Sequence, residues 1–217
     1  SITPFLDSTE GGLEADLGIT EHGDLELVGV LSKPDETANM RSDSDIKEQR
    51  LYYRNDFDEL TGQLNRARLT DALNAVIMRC SRSRRQSAFL MVAINNLPMV
   101  NETFGHKVGD EVIGAVANAI KGKLRGGDTL GRYSVDTFGI ILNDCGPDAM
   151  QIAADRFMRS VRNLAIRASR VQVQATVSIG GVVLLDHAHN VHQALSCARQ
   201  ALANAKQTRL DGFTAYE

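Results

Sequence analysis

The sequence of 217 residues predicts an α+β fold of the ferredoxin-like kind, in which a central, mostly antiparallel sheet is flanked by helices. Three observations lead to this prediction. Residues 88–94, AFLMVAI, form a continuous apolar run of strand length. Residues 127–145, GDTLGRYSVDTFGIILNDC, read as strand, tight turn, strand. Several longer stretches have apolar residues at helical spacing, and their order places helices on one face of a βαββαβ core.

Four helices are predicted from apolar residues that recur every three or four positions. In chain order they cover residues 65–86, 109–125, 148–168 and 190–207. The first ends in several arginines, which suit the negative end of a helix dipole. A short helix is expected near residues 98–104, between the apolar strand and the second long helix.

Two further strands complete the predicted sheet. Residues 171–177, VQVQATV, alternate strictly between apolar and polar side chains, as a half-buried strand does. Residues 213–216 suit a final edge strand. The hairpin turn is unusual, because Val135 stands where such turns commonly use glycine or asparagine.

The composition argues against several kinds of partner. A net charge of −3, a pI near 6.0 and the absence of tryptophan speak against binding to DNA or RNA. The longest apolar run is about seven residues, too short to cross a bilayer, so no membrane contact is expected. The cysteines show neither a metal spacing nor an even pairing, which favours the reducing cytoplasm. His187, His189 and His192 are interpreted as exposed loop residues rather than zinc ligands.

The N-terminal part of the chain differs from the rest. Residues 1–41 are acidic and polar, and two interpretations stay open: the tail of an upstream domain, such as a sensory PAS-like domain, or a disordered leader. Residues 42–57 predict a capped, charged connector helix. The main domain is expected to cover residues 58–217. Because the chain begins with Ser, we expect it to be a piece of a longer protein.

Five segments of the main domain resemble, in order and in spacing, the successive signatures of the GGDEF domain, the catalytic domain of diguanylate cyclases. They are DELTGQLNR (58–66), NETFGHKVGDEV (101–112), RGGDTLGRYSVDTFGIIL (125–142), TVSIGG (176–181) and ALANAK (201–206). The resemblance implies the palm-like α+β fold of nucleotide cyclases, in agreement with the predicted order of elements.

The resemblance also implies a degenerate signature. Ser134-Val135-Asp136-Thr137-Phe138 stands where the family has Gly-Gly-Asp-Glu-Phe. In the family the glycines let the backbone approach the GTP phosphates, and the aspartate helps to hold Mg²⁺. Asp136 therefore matches a metal ligand. Ser134 and Val135 place side chains where the phosphates would lie, and Thr137 removes the second carboxylate.

A second metal ligand is missing as well. The family's aspartate at the end of the first strand corresponds to Ala93, which leaves Asp136 and the carbonyl of Ile94 as oxygen ligands. Phosphoryl transfer relies on metal charge to stabilise its transition state. The resemblance therefore implies no catalytic residues and no cyclase activity, and Mg²⁺ is expected only together with bound GTP.

Two pairs of ligand-binding residues are retained. Asn101 and Asp110 match the family's guanine-reading residues, and Arg125 and Asp128 match its inhibitory RxxD site, which binds cyclic di-GMP. An arginine fork pairs well with phosphate, and a carboxylate accepts hydrogen bonds from guanine. Structural alternatives stay open, with Asn101 and Asp110 as helix caps and Arg125 at a helix C-terminus.

The phosphate-binding residues of the last helix are matched incompletely. Lys206 corresponds to the family's lysine, but its basic partner is replaced by Leu210, with Arg209 one position early. Lys206 is equally well interpreted as a solvated charge. Asp136 is equally well interpreted as a turn residue, since its metal partner is missing.

Three functional hypotheses follow. The first is a catalytically inactive GGDEF domain that binds cyclic di-GMP or GTP as a regulatory module and controls a downstream EAL phosphodiesterase domain of the same chain. The second is an active diguanylate cyclase that makes cyclic di-GMP from two GTP molecules. The third is a ligand-free dimerisation or scaffold domain. The predicted connector helix could pair two protomers into a homodimer.

Overall fold

The computed structural model of the chain describes residues 56–168, 171–208 and 211–216. These residues belong to one compact unit, Glu48–Glu217. The predicted N-terminal segment of residues 1–41 lies outside the described residues. The predicted connector helix of residues 42–57 also lies outside them except for its last two residues. Both remain predictions.

The described residues form a five-stranded sheet, a two-stranded ribbon and five helices. The helices are α1 (Arg66–Ser83), α2 (Leu97–Phe104), α3 (His106–Lys121), α4 (Pro147–Arg162) and α5 (Val191–Thr208). The strands are β1 (Ser87–Ile94), β2 (Thr129–Arg132), β3 (Thr137–Leu142), β4 (Ile166–Ala168), β5 (Val171–Val173), β6 (Val177–Leu184) and β7 (Phe213–Ala215). The large sheet has the order β2-β3-β1-β6-β7 and is antiparallel except between β6 and β7. The predicted α+β class is confirmed.

Helices cover both faces of the sheet, and the expectation of helices on one face is wrong. Helices α2, α3 and α4 pack on the face that carries Leu90 and Val92. Helices α1 and α5 pack on the opposite face, with Phe89 and Met91. The physical reason lies in β1, whose eight residues are all buried. A strand that is apolar on both sides needs a cover on each.

The strand predicted at residues 171–177 is also wrong in place and in role. Val171–Val173 forms β5, which pairs only with β4 in the two-stranded ribbon. The strand next to β1 is β6, and it begins at Val177. All of β6 is buried, so its sequence does not alternate between apolar and polar residues. The β4–β5 ribbon is partly exposed, and its sequence does alternate. The helix predicted to reach residue 168 ends at Arg162, because residues 166–168 form β4.

Helix α5 lies unusually close to β6. A Cβ atom built on Gly180 would be 2.1 Å from the backbone nitrogen of Leu202 and 2.5 Å from the carbonyl oxygen of Ala198. Only a residue without a side chain allows this approach. The contact holds α5 against β6.

In the described part of the chain, no helix combines the length and apolarity needed to cross a membrane.

Candidate functional site

The segment that the sequence matched to the family signature, residues 134–138, forms the turn between β2 and β3 together with the start of β3, and it lies against the end of β1. We refer to it as the signature turn. The backbone N–H groups of Tyr133 and Ser134 donate to the carbonyl of Thr137 at 2.8 and 3.0 Å. The N–H of Ile94 donates to the carbonyl of Asp136 at 2.9 Å, and Ala93 pairs with Thr137 across the ladder. The structure thus brings together the residues that the sequence assigned to the metal site.

The turn is built without left-handed backbone. None of residues 134–137 has a positive φ, so a β-branched residue fits without strain. The side chain of Val135 projects from the tip and is 70% exposed. This resolves the conflict that the sequence raised: the turn adopts a backbone conformation that valine tolerates, and the Val135 side chain projects into solvent.

Arg132 fastens this turn to the segment that precedes α1. Its guanidinium donates to both oxygens of Asp58 at 3.1 Å, and to the carbonyls of Ser134 at 3.3 Å and Val135 at 3.0 Å. Burial by itself would raise the pKa of Asp58. The hydrogen bonds from Thr61 and Arg132, with the Arg132 charge, outweigh burial and hold that pKa below its usual value. Arg132, paired with Asp58, therefore holds the backbone of the turn in place.

The residues at this turn do not fit a Mg²⁺ site. Asp136 supplies one carboxylate, and its Oδ1 accepts from the hydroxyls of Ser134 at 3.2 Å and Thr137 at 2.8 Å. The Ala93 methyl group is fully buried and offers no oxygen. Magnesium requires several oxygen ligands in near-octahedral geometry. Across the described residues, no group of three or more His, Cys, Asp or Glu side chains is arranged to hold a metal ion.

The predicted guanine-reading residues lie on two consecutive helices. Asn101 is in α2 and Asp110 is near the start of α3. The N-caps of these helices are Asn96 and Gly105, so the alternative of Asn101 and Asp110 as helix caps is wrong.

The amide of Asn101 lies against the backbone of α3. Its Oδ1 atom is buried and has no hydrogen-bond partner among the described residues. A Cβ atom on Gly109 would lie 1.9 Å from that oxygen, so a larger residue there would require the Asn101 side chain to shift. Asp110, the next residue, is exposed. The Asn101 amide oxygen is therefore buried between the two helices, whereas the Asp110 side chain is exposed.

Residues 125–128 form a turn, called here the 125–128 turn, that leads into β2. The two carboxylate oxygens of Asp128 accept from the backbone N–H groups of Arg125 and Asn143, each at 3.1 Å. Gly127 has φ 93°, a conformation that favours glycine. Helix α3 ends at Lys121, so the alternative of Arg125 as a helix C-terminus is wrong. The Arg125 side chain is exposed and makes no hydrogen bond within the described residues.

Two more arginines lie near the 125–128 turn, and the sequence interpretation missed them. Arg79, in α1, donates to the side chain of Asn143. Arg156, in α4, has a buried Nε atom without a partner among the described residues. Burial, and after it the Asp128 charge, raises the pKa of the Cys145 thiol to about 11, while Arg125 and Arg156 act in the opposite direction. Asp128, Arg125 and Arg156 are therefore close enough to one thiol to influence it together.

Lys206 lies in the last turn of α5 and is exposed. Arg209 and Leu210 lie outside the described residues. The three histidines remain apart from the site: all are in or beside the loop before α5, where His187 makes an edge contact with Tyr216 at 6.0 Å between ring centres.

Comparison with curated proteins finds relatives among cyclic di-GMP enzymes. The chain is 31% identical over 153 residues to the probable diguanylate cyclase DgcT of Escherichia coli K12, which covers 70% of this chain and 33% of that protein. It is 27% identical over 160 residues to MucR of Pseudomonas aeruginosa, named a bifunctional diguanylate cyclase/cyclic di-GMP phosphodiesterase, covering 74% of this chain and 23% of MucR. The chain thus spans a third or less of the length of these two relatives.

Solved structures and family models agree with this result. The GGDEF domain of YfiN from Pseudomonas aeruginosa superimposes with a TM-score of 0.71 at 28% identity, covering 74% of this chain and 94% of that one. Residues 55–211 match the family described as diguanylate cyclase, GGDEF domain. These matches confirm the family that the sequence motifs indicated. The chain belongs to the GGDEF domain family, the family of the diguanylate cyclases.

Proposed function

We propose that this GGDEF domain binds guanine nucleotides without cyclising GTP, and that cyclic di-GMP bound at the 125–128 turn is its regulatory ligand. In this proposal the domain acts in the cytoplasm, as the cysteine usage predicts, and controls a downstream EAL phosphodiesterase domain of the same chain. The observation that carries the first part is the pairing of Ala93 with Thr137 across the ladder beside Asp136.

The argument against catalysis concerns charge. Cyclisation requires a 3′-hydroxyl to attack an α-phosphorus, and metal ions neutralise the charge that develops on the phosphoryl oxygens. Here the two paired positions carry a methyl group and a hydroxyl, which leaves Asp136 as the acidic residue among residues 134–138. The exposed Val135 adds bulk at the tip of the turn. These features support loss of the reaction with retention of the fold.

The argument for binding at the 125–128 turn concerns unused hydrogen-bonding capacity. A carboxylate has about four lone-pair positions, and Asp128 uses two of them on backbone N–H groups. Two positions therefore remain for the N–H groups of a guanine base. The free Arg125 guanidinium, with Arg79 and Arg156 nearby, supplies positive charge for the phosphates of a cyclic dinucleotide.

The regulatory role rests on the domain context of a relative. MucR joins cyclase and phosphodiesterase activities in its name, and this chain matches less than a quarter of its length. A GGDEF domain that binds the dinucleotide without making it is suited to report its concentration to a phosphodiesterase domain.

Isothermal titration of the full chain with cyclic di-GMP tests the binding site. Losing a charged hydrogen-bonding partner costs about 1.5–3 kcal/mol, so Arg125→Ala should weaken binding roughly tenfold to a hundredfold. Asp136→Ala should leave binding nearly unchanged. Arg82→Ala, which removes another arginine near the end of α1, serves as the matched control. If Asp136→Ala abolishes binding and Arg125→Ala is neutral, the ligand occupies the signature turn and the assignment is wrong.

A turnover assay on the same sample tests the catalytic part. Incubation with GTP and Mg²⁺ or Mn²⁺ should give no cyclic di-GMP above a control without enzyme, and Ala93→Asp alone should not restore the reaction. Formation of cyclic di-GMP by the unmodified chain would mean that it is an active cyclase. If neither GTP nor cyclic di-GMP binds, the domain is a ligand-free scaffold instead.

A further inference from the structure

The side chains of two arginines and a tyrosine meet beside the signature turn, and these side chains take no part in the sites described above. The Nη2 atoms of Arg66 and Arg199 both donate to the hydroxyl of Tyr133, at 3.4 and 3.3 Å. Arg66 also lies over the Tyr133 ring, 4.7 Å from its centre. Arg66 begins α1, Arg199 lies in α5, and Tyr133 directly precedes the turn. We refer to these three residues as the Arg66–Tyr133–Arg199 cluster.

The cluster lacks a counter-charge within the described part of the chain. Some arginines of the domain have a carboxylate partner: Arg68 contacts Asp56, Arg132 contacts Asp58 and Arg162 contacts Asp211. Arg66 and Arg199 have no such partner among the described residues. Each instead donates to the same neutral phenol oxygen. Because both lie within 3.4 Å of one atom, the two positive charges repel each other at short range.

The signature turn beside the cluster carries one acidic side chain, against the two arginines of the cluster. Of the two residues that pair next to the turn, Ala93 carries a methyl group and Thr137 a hydroxyl. The acidic residue of the turn, Asp136, accepts hydrogen bonds from Ser134 and Thr137. Both arginines are exposed, and each uses one of its five N–H donors on Tyr133. Most of their donors therefore remain available to a ligand.

We propose that the Arg66–Tyr133–Arg199 cluster binds the phosphoryl groups of a diphosphate or triphosphate. Two guanidinium forks offer planar sets of donors that match phosphate oxygens, and a polyphosphate supplies the negative charge that the cluster lacks. The Tyr133 hydroxyl accepts from both guanidinium groups and so positions them before the ligand binds.

This site is separate from the 125–128 turn. The two lie at opposite ends of β2, since Asp128 precedes the strand and Tyr133 follows it. At about 3.3 Å per residue they are roughly 15 Å apart. The inference goes beyond the proposed regulatory function and does not depend on cyclic di-GMP binding.

Titration of the full chain with inorganic pyrophosphate at low ionic strength tests the proposal. Arg66→Gln and Arg199→Gln should each weaken pyrophosphate binding by about tenfold, and added salt should weaken binding to the unmodified chain. Arg82→Gln is the matched control. It removes an equal charge from the far end of α1, about 24 Å from Arg66 along the helix axis, and should bind pyrophosphate normally. Arg125→Ala should also bind it normally, which separates this site from the proposed regulatory one.

A second titration with GTP identifies the source of the phosphates. If Arg199→Gln weakens GTP and pyrophosphate alike, the cluster holds the phosphates of a nucleotide. If it weakens only pyrophosphate, the cluster binds a phosphate compound other than GTP. The proposal is overturned if pyrophosphate does not bind the unmodified chain. It is also overturned if Arg66→Gln and Arg199→Gln lower the melting temperature but bind pyrophosphate as the unmodified chain does, because the arginines then only support Tyr133.

Discussion

Arg132 donates from all three nitrogens of its guanidinium, and its acceptors lie in two places, on Asp58 and in the turn that follows β2. Two bonds reach Asp58, one reaches the Ser134 carbonyl and one the Val135 carbonyl. The side chains of this ion pair are 15% and 22% exposed, so water competes only partly for the bonds. The pair therefore contributes both to stability and to the shape of the turn.

Asp58→Asn should make the domain less stable at neutral pH. Removing the charge that pairs with a mostly buried guanidinium should lower the free energy of unfolding by about 2 kcal/mol. The pKa of Asp58 is lowered in the folded state, so its stabilisation is present above the unfolded pKa of about 3.9 and is lost as pH falls through the folded value.

Urea denaturation of both proteins at pH 7 and at about pH 3 measures this effect. The difference between the unmodified chain and Asp58→Asn should be largest at pH 7 and should shrink at the lower pH. Equal stabilities at pH 7 would show that the ion pair has no net effect on folding. Asp71→Asn, at an exposed carboxylate in the first turns of α1, is the control.

At the level of elements, the packing of α5 on β6 gives a matched pair of glycine substitutions. A Cβ atom on Gly180 would overlap the α5 backbone, so Gly180→Ala should destabilise the domain by several kcal/mol. Gly114 lies inside α3 with nothing within 4 Å of an added Cβ atom. Gly114→Ala should instead stabilise by about 0.5–1 kcal/mol, because alanine favours helix.

Thermal unfolding followed by circular dichroism measures both changes. A melting temperature for Gly180→Ala equal to that of the unmodified chain would mean that α5 can shift away from the sheet at little cost. Gly114→Ala serves as the matched control, because its melting temperature should be higher than that of the unmodified chain.

Periodicity predicted the long helices well, because each buries one stripe of side chains. The helix predicted at residues 190–207 is observed at Val191–Thr208, and the one predicted at residues 109–125 is observed at His106–Lys121. The central strand β6 could not be found in this way. Its burial on both faces removes the alternation, and the paired Gly180 and Gly181 are poor strand formers that are needed for contact with neighbouring elements.

The signature turn was predictable, since its residues are contiguous and their neighbours in space follow from strand pairing. The family resemblance assigned Ala93 and Thr137 to one metal site, and the two residues are paired across β1 and β3. The surroundings of the 125–128 turn were not predictable. Arg79, Asn143 and Arg156 come from three different elements, and single arginines on amphipathic helices resemble ordinary surface charges. Only the packing of α1 and α4 around the sheet identifies them.

At the level of the whole molecule, we expect the part of the chain from residue 56 onward to fold without the preceding residues. Its two hydrophobic clusters, one on each face of the sheet, are made by residues from Leu69 onward, and partly buried side chains such as Leu64 complete them. Removing residues 1–55 retains Asp56, whose carboxylate contacts Arg68 and whose carbonyl accepts from Asn65.

Circular dichroism and analytical ultracentrifugation of the shortened chain provide the measurement. A cooperative melt together with a weaker tendency to self-associate would agree with a connector that pairs protomers. An unfolded product would show instead that residues before 56 belong to the core. The full chain at the same concentration is the control.

The two edges of the large sheet are both poor templates for another strand. At one edge the backbone of Leu64 lies beside β2, donating to the Leu130 carbonyl and accepting from the Arg132 N–H. At the other edge β7 has three residues. Unpaired strand edges are where folded domains add strands from other chains and begin to aggregate. We therefore expect two copies of this domain to associate through helices and loops rather than through the edges of the large sheet.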